Sequence, residues 1–200
     1  MIDRKEPFDV VCIGSATQDV FVSSDASKIV TVSDMREERR LLGFEYGGKI
    51  DVEHIEFTTG GGATNAAVSF AGLGARAAFL GKIGPDEIGQ LVLRELVEKG
   101  VDVSYHLKSS ERATGYSVIL TSYEGDRTVL THRGASAEMA PGEVDWSFLD
   151  KTAWLYVSSL SGQSVKLLGP IAERAPAAGV KITFNPGSAQ LRAGLEELRD

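Results

Sequence analysis

From Phe8 to Ile13 the chain reads Phe-Asp-Val-Val-Cys-Ile, a short apolar, β-branched run closed by Gly14. That pattern suits a buried strand of a parallel sheet better than a helix. A polar turn, Ser15-Ala16-Thr17-Gln18-Asp19, follows. Between Val20 and Phe57 the pattern weakens: Ser23-Ser24-Asp25 reads as a loop, the charged stretch Asp34 to Leu42 as a helix candidate, and Gly47-Gly48 as a turn. This segment is expected to leave the main sheet. Thr58-Thr59 then leads into Gly60-Gly61-Gly62, and Ala63 to Leu73 carries Ala63, Ala66, Ala67, Phe70 and Ala71 at helical spacing before Gly74. An alanine stripe lets a helix press closely on a sheet.

Ala77 to Leu80 reads as a second buried strand, and the loop Gly81 to Glu87 leads to a helix from about Ile88 to Lys99 with Ile88, Leu91, Val92, Leu96 and Val97 on one face. Gly100 ends it. Tyr116 to Thr121 and Arg127 to Thr131 are β-branched runs around a Gly-containing loop, the composition of a hairpin. Beyond it come a strand at Trp154 to Ser158, a helix at Gln163 to Ala178 weakened by Pro170 and Pro176, and a strand at Val180 to Phe184. Asn185-Pro186-Gly187 turns the chain, and Leu191 to Arg199 reads as the start of one more helix. Strands alternating with helices predict an α/β fold with a parallel sheet covered on both faces, while the hairpin and the Val20 to Phe57 excursion fit a smaller β layer. In such sheets ligands bind beyond the carboxyl ends of the strands, so the turns after Ile13, Thr59, Leu80 and Phe184 are the places to look.

Composition narrows the classes. The 200 residues are 42% hydrophobic with a net charge of -7, which describes a globular chain slightly longer than one typical domain. An acidic balance without a basic run argues against nucleic acid or an anionic membrane as the main partner. The one cysteine, Cys12, lies in an apolar run and leaves no disulfide framework, so a reduced, cytoplasmic setting is expected. No stretch approaches the ~20 apolar residues of a membrane span, and Met1 to Val10 lacks a signal-peptide core. His54, His106 and His132 are scattered, without the spacing of a metal site.

The strongest local signal is Gly60-Gly61-Gly62-Ala63-Thr64-Asn65. Glycines at a helix entry leave backbone N–H groups bare beside the positive end of the helix dipole, where hydroxyls and phosphates bind. Asn65 adds an amide that both donates and accepts, which suits a polyol. The alternative is that the glycines only allow close packing and Asn65 helps cap the helix. Asp19, just past the first strand, is either an acceptor for two sugar hydroxyls or a turn-stabilising residue. Asp86, in Gly81-Lys82-Ile83-Gly84-Pro85-Asp86-Glu87-Ile88-Gly89, reads as a helix cap. Asn185 draws interest only through its place at a strand's carboxyl end, and Arg133 reads as solvated. Neither G-x-G-x-x-G nor G-x-x-x-x-G-K-[ST] is present, which weakens a nicotinamide-binding reading, and no Ser-His-Asp arrangement can be assembled from spacing.

Taken together, Gly14-Ser15-x-x-x-Asp19, Gly60-Gly61-x-x-x-Asn65-x-Ala67, Gly81-x-Ile83-Gly84-x-Asp86-x-x-Gly89, Thr114-Gly115-Tyr116, Arg127-Thr128 and Asn185-Pro186 resemble, in order and spacing, the ribokinase-like or PfkB carbohydrate kinases. The resemblance covers essentially all of Phe8 to Leu191. It implies a Rossmann-like parallel sheet flanked by helices with a small β-sheet lid, formed by about 20–57 and 105–135, that is also the expected homodimer contact. It implies Mg-ATP-dependent phosphorylation of a hydroxymethyl group on a sugar, sugar acid or nucleoside. Asp19, Gly60, Gly61, Gly62, Asn65 and Asn185 would line the acceptor.

The departures carry weight too. Gly62 stands where ribose-specific members usually carry Lys. The family's Asp-Thr-x-Gly-Ala-Gly-Asp signature, which in relatives supplies the anion hole and the catalytic base, occurs nowhere in the chain, and neither does the Asn-x-x-Glu motif linked to magnesium. An anion hole is worth several kcal/mol to phosphoryl transfer. The reading is therefore the substrate-binding part of such a kinase, incomplete at its C-terminus and inactive alone, with no catalytic residue or metal ligand of its own. The alternative is a non-catalytic sugar-binding or dimerisation module derived from one.

Overall fold

The computed structural model describes residues 8–193. The chain divides into two compact units, the first taking residues up to Gln18, Thr59–Gly115 and Arg133 onwards, the second Asp19–Thr58 and Tyr116–His132. In chain order the elements are β1 (Phe8–Ile13), β2 (Thr17–Ser23), β3 (Lys28–Ser33), β4 (Glu38–Gly43), β5 (His54–Gly60), α1 (Gly62–Gly72), β6 (Ala77–Leu80), β7 (Lys82–Ile83) and α2 (Glu87–Glu98). There follow β8 (Leu107–Lys108), β9 (Gly115–Thr121), β10 (Arg127–His132), β11 (Thr152–Val157), α3 (Leu168–Ala177), β12 (Lys181–Phe184) and α4 (Ser188–Ala193). Of the helix expected over Leu191 to Arg199, the residues from 194 on lie outside those described, as do residues 1–7 of the amino-terminal stretch.

The first unit is built on a parallel sheet in the order β12-β11-β1-β6. Ile13 stands opposite Val157 on one side and Leu80 on the other. Side-chain alternation sends Val11 and Ile13 into a core with Leu155, Val157, Phe148 and Ile171, and Val10 and Cys12 into a second core with Ala63, Ala67, Phe79 and Leu96. A strand buried on both faces has no polar alternation, which is why Phe8 to Ile13 reads as a continuous apolar run. On one face α1 lays fully buried Ala63 and Ala67 on the sheet, so the alanine stripe does what its spacing predicts. On the other, Phe148, carried by a 3-10 turn over Trp146–Lys151, meets the edge of Tyr105 with ring centroids 5.6 Å apart.

Two helices differ in detail from the sequence reading. The buried positions of α2 are Gly89, Val92 and Leu96, while Val97 is 57% exposed, so its apolar stripe is narrower than expected. Gly100, at φ 79°, ends it, and Val101 N–H bonds back to Leu96 O at 2.9 Å. The helix predicted over Gln163 to Ala178 begins as a 3-10 turn, Gly162–Leu167, before α3. Pro170 falls in the first turn of α3, where no helical partner for an N–H exists.

The second unit holds a sheet in the order β10-β9-β2-β5 and a separate β3-β4 hairpin. In β9-β10, Tyr116 pairs with His132 and Thr121 with Arg127. The helix expected within Asp34 to Leu42 is not formed. Asp34 Oδ1 instead accepts from the N–H groups of Arg36 at 2.7 Å and Glu37 at 2.9 Å, closing a turn, and β4 pairs back on Ile29, Val30, Thr31 and Val32. Arg40 pairs with Glu124 at the tip of β9-β10. The polar turn expected through Asp19 is also shorter than predicted, because Thr17, Gln18 and Asp19 already belong to β2.

Cys12 is fully buried, and desolvation pushes its thiol up to about 12. The folded chain is expected to show no thiol reactive with a disulfide reagent at pH 8, and one per chain after denaturation. A stoichiometric reaction in native buffer would refute that placement. Among the described residues no helix is long and apolar enough to cross a membrane.

Candidate functional site

The glycines sit at the carboxyl edge of the parallel sheet. β5 ends at buried Gly60, and Gly61 at φ 111° and ψ 145° is the N-cap of α1. Only glycine takes that backbone conformation readily. Space forbids a side chain as well: a Cβ on Gly61 would overlap the carbonyl oxygen of Ser15 and lie 2.8 Å from Ala16 Cα. One on Gly62 would meet Ser158 Cβ at 2.7 Å, and one on Gly14, which leaves β1 at φ 149°, would overlap Ser158 Oγ.

Ser15 takes up part of the helix mouth. Its Oγ accepts from Gly62 N–H at 3.0 Å and its carbonyl from Ala63 N–H at 3.2 Å. The expectation of bare amides at this entry is therefore corrected for these two, whose N–H groups are paired with Ser15 within the chain. α1 has no side-chain cap, so Asn65 is not one; it stands in the first turn with its side chain exposed. Gly61 and Gly62 thus allow close packing at the entry of α1, and Asn65 does not serve capping.

Ser158 follows β11 and is 2% exposed, with Oγ donating to Ile13 O at 3.2 Å. Asn185 follows β12 on the same edge. Its N–H bonds to Val157 O at 2.8 Å, and its side-chain amide donates to Tyr156 Oη at 3.0 Å. The fold thus gathers Gly60, Gly61, Gly62, Asn65 and Asn185 at one edge of the first unit, together with Ser15 and Ser158. Asp19 lies half-buried on β2 as the first residue of the second unit. Ser15 has a sequence signal in the Gly14-Ser15-x-x-x-Asp19 motif, whereas Ser158 has none beyond its place directly after a buried strand, and the contacts of both reach chain segments 47 to 145 residues away.

Asp86 caps α2 as expected, accepting from Gly89 N–H at 2.8 Å. Partial burial pushes its carboxyl up, but hydrogen bonds from Thr114 and Gly89 outweigh that and hold it below the usual carboxylate value. Arg133 is exposed. Among the described residues no group of three His, Cys, Asp or Glu side chains is placed to hold a metal ion.

Comparison with known proteins agrees with this geometry. The model of the pfkB family carbohydrate kinases matches residues 9–199. An ATP-dependent ribose-1-phosphate kinase of Halopiger xanaduensis is 29% identical over 72% of this chain and 47% of its own length. A 2-dehydro-3-deoxygluconokinase of Bacillus subtilis is 30% identical over 71% of this chain and 46% of its own. The structure of Arabidopsis thaliana ribokinase complexed with ribose and ATP superposes with a TM-score of 0.69 and 21% identity, over 90% of this chain and 53% of that one. The chain spans about half the length of the relatives it matches, and its first unit has the parallel α/β architecture of ribokinase-like proteins. By the match over nearly its whole length, the chain belongs to the pfkB family of carbohydrate kinases.

Proposed function

We propose that these residues form the acceptor-binding part of a kinase that transfers the γ-phosphoryl group of ATP to a hydroxymethyl group of a sugar, sugar acid or nucleoside. The family match from residue 9 to 199 carries this reading. Asn65 holds acceptor hydroxyls through its exposed amide, and Asp19 accepts hydroxyl hydrogen bonds from the second unit. Gly60, Gly61 and Gly62 let the acceptor approach the backbone, Asn185 orients it from the end of β12, and the second unit acts as the lid. Phosphoryl transfer depends mainly on such positioning and on charge stabilisation. ATP supplies the phosphoryl group and Mg2+ offsets its charge. No residue described in this chain is assigned to the ion, and no step is routed through it.

The relatives named above act on different acceptors, so the test is a panel. In a thermal-shift series with pentoses, hexoses, sugar acids, sugar phosphates and nucleosides, a ligand at a hundred times its Kd adds about 2.7 kcal/mol. For a chain of this size that raises the Tm by roughly 5–10 °C. The shift is expected for at least one class, with about tenfold weaker binding in Asn65→Ala through the loss of one or two hydrogen bonds. A folded wild-type chain that responds to no member of the panel would reject acceptor binding.

A further inference from the structure

We propose that Asp86 is a positioning residue: beyond capping α2, it fixes the root from which the β9-β10 hairpin rises. Capping needs one carboxylate oxygen, and Oδ1 supplies it to Gly89 N–H at 2.8 Å. The carboxylate does more than that. Oδ2 accepts from Thr114 N–H at 2.7 Å, and Thr114 Oγ1 donates to Oδ1 at 2.6 Å while itself accepting from Gly84 N–H at 2.9 Å. Thr114 is 2% exposed, so each of these groups would be costly to leave unpaired.

Space around Thr114 explains two of the motif's glycines, Gly84 and Gly89, in physical terms. A Cβ on Gly84 would lie 2.5 Å from Thr114 N, and one on Gly89 would lie 2.8 Å from Thr114 Oγ1. Gly84-Pro85-Asp86-Glu87-Ile88-Gly89 is therefore shaped around a residue 28 positions from Asp86 in the chain. The next residue, Gly115, opens β9, and a Cβ there would meet Thr17 Cγ2 at 2.7 Å and Ala16 O at 2.8 Å. The returning foot of the hairpin meets the same block. Gly134, at φ 51°, leaves no room for a Cβ, which would overlap Ala113 O, and Ala135 N–H bonds to Ala113 O at 2.8 Å. Ser136 Oγ then accepts from Ala16 N–H at 3.2 Å and donates to Ala16 O at 3.1 Å. The residues that flank the hairpin in sequence, Ala113 to Gly115 and Gly134 to Ser136, are thus tied to one another and to Ala16 within the first unit, and Asp86 is the ionised member of that tie. Its functional weight rests on the kinase reading, in which the hairpin belongs to the lid; the tie itself does not.

The test is hydrogen exchange on the full chain without ligand, in Asp86→Asn, Thr114→Val and Thr114→Ser. Asn caps a helix as well as Asp, so Asp86→Asn is expected to leave the first turn of α2 protected while amides 116–121 and 127–132 exchange about tenfold faster or more, through the loss of charge-assisted bonds. Thr114→Val, which keeps the cap bond, is expected to do the same, and Thr114→Ser to restore wild-type exchange. If exchange rises only in the first turn of α2, or nowhere, Asp86 is a cap and the proposal falls. Should Asp86→Asn fail to fold, the Val and Ser pair decides alone. Because no ligand is present, a chain that binds no sugar rejects the kinase reading and leaves the tie standing, whereas ligand binding with unchanged hairpin exchange rejects the tie alone.

Discussion

Gly61→Ala is expected to destabilise the chain by about 4 kcal/mol, combining an unfavourable backbone conformation with overpacking at a site that cannot relax. At φ 111° and ψ 145° an alanine pays for the conformation itself, and its Cβ would press into the Ser15 carbonyl and Ala16 backbone rather than into a movable side chain. The same displacement would part α1 from β1 and disturb the Ser15 bonds to Gly62 and Ala63, so acceptor binding is expected to vanish with the stability. Gly72→Ala is the control. Gly72 is helical, and an added Cβ would have nothing within 4 Å, so that change is expected to be neutral or to stabilise by up to about 1 kcal/mol. Urea titrations followed by Trp146 and Trp154 fluorescence measure both, and a Gly61→Ala loss below about 1 kcal/mol would show that the helix entry is not tightly packed.

Phe148→Ala is expected to cost about 3–5 kcal/mol, the range for emptying a buried aromatic site. The ring is fully buried and lies against Tyr105 and, at 6.0 Å between centroids, Trp146. Its position matters because this part of the core is filled from a 3-10 turn instead of a helix, and of the residues the turn buries, Phe148 and Leu149, Phe148 is the larger. The urea midpoint should fall without change in m-value, since the exposed surface on unfolding stays the same. A loss under about 1 kcal/mol would mean the turn is a surface feature, not part of the core.

Legibility in the sequence followed burial. β1 and β6 appear with the bounds expected from their apolar runs, because a strand covered on both faces has nothing else to encode. The helix expected over Asp34 to Leu42 is absent for the opposite reason. β3 and β4 are mostly exposed, so no burial pattern imposes alternation, and Glu38-Arg39-Arg40 beside Asp34 imitates an exposed helix. At the entry of α1, Gly61 and Gly62 stand out in the sequence because close approach selects one residue type, whereas the contacts of Ser15 and Ser158 exist only after β1, β11 and α1 have come together. The bare amides expected at the α1 entry failed on the same ground, since their acceptor is Ser15, 47 residues earlier. Asp86 was read correctly as a cap and incompletely as nothing more, because Thr114 is remote in sequence.

The second unit is stitched from two stretches, Asp19–Thr58 and Tyr116–His132, with Thr59–Gly115 between them in the first. During synthesis its earlier strands leave the ribosome without a partner for β2 on the β9 side, and that partner does not exist until some sixty further residues have been added. Non-local pairing of this kind is slow, so assembly of the unit is gated by how far translation has advanced, and interruption anywhere before His132 would strand a half-made sheet with exposed, aggregation-prone edges.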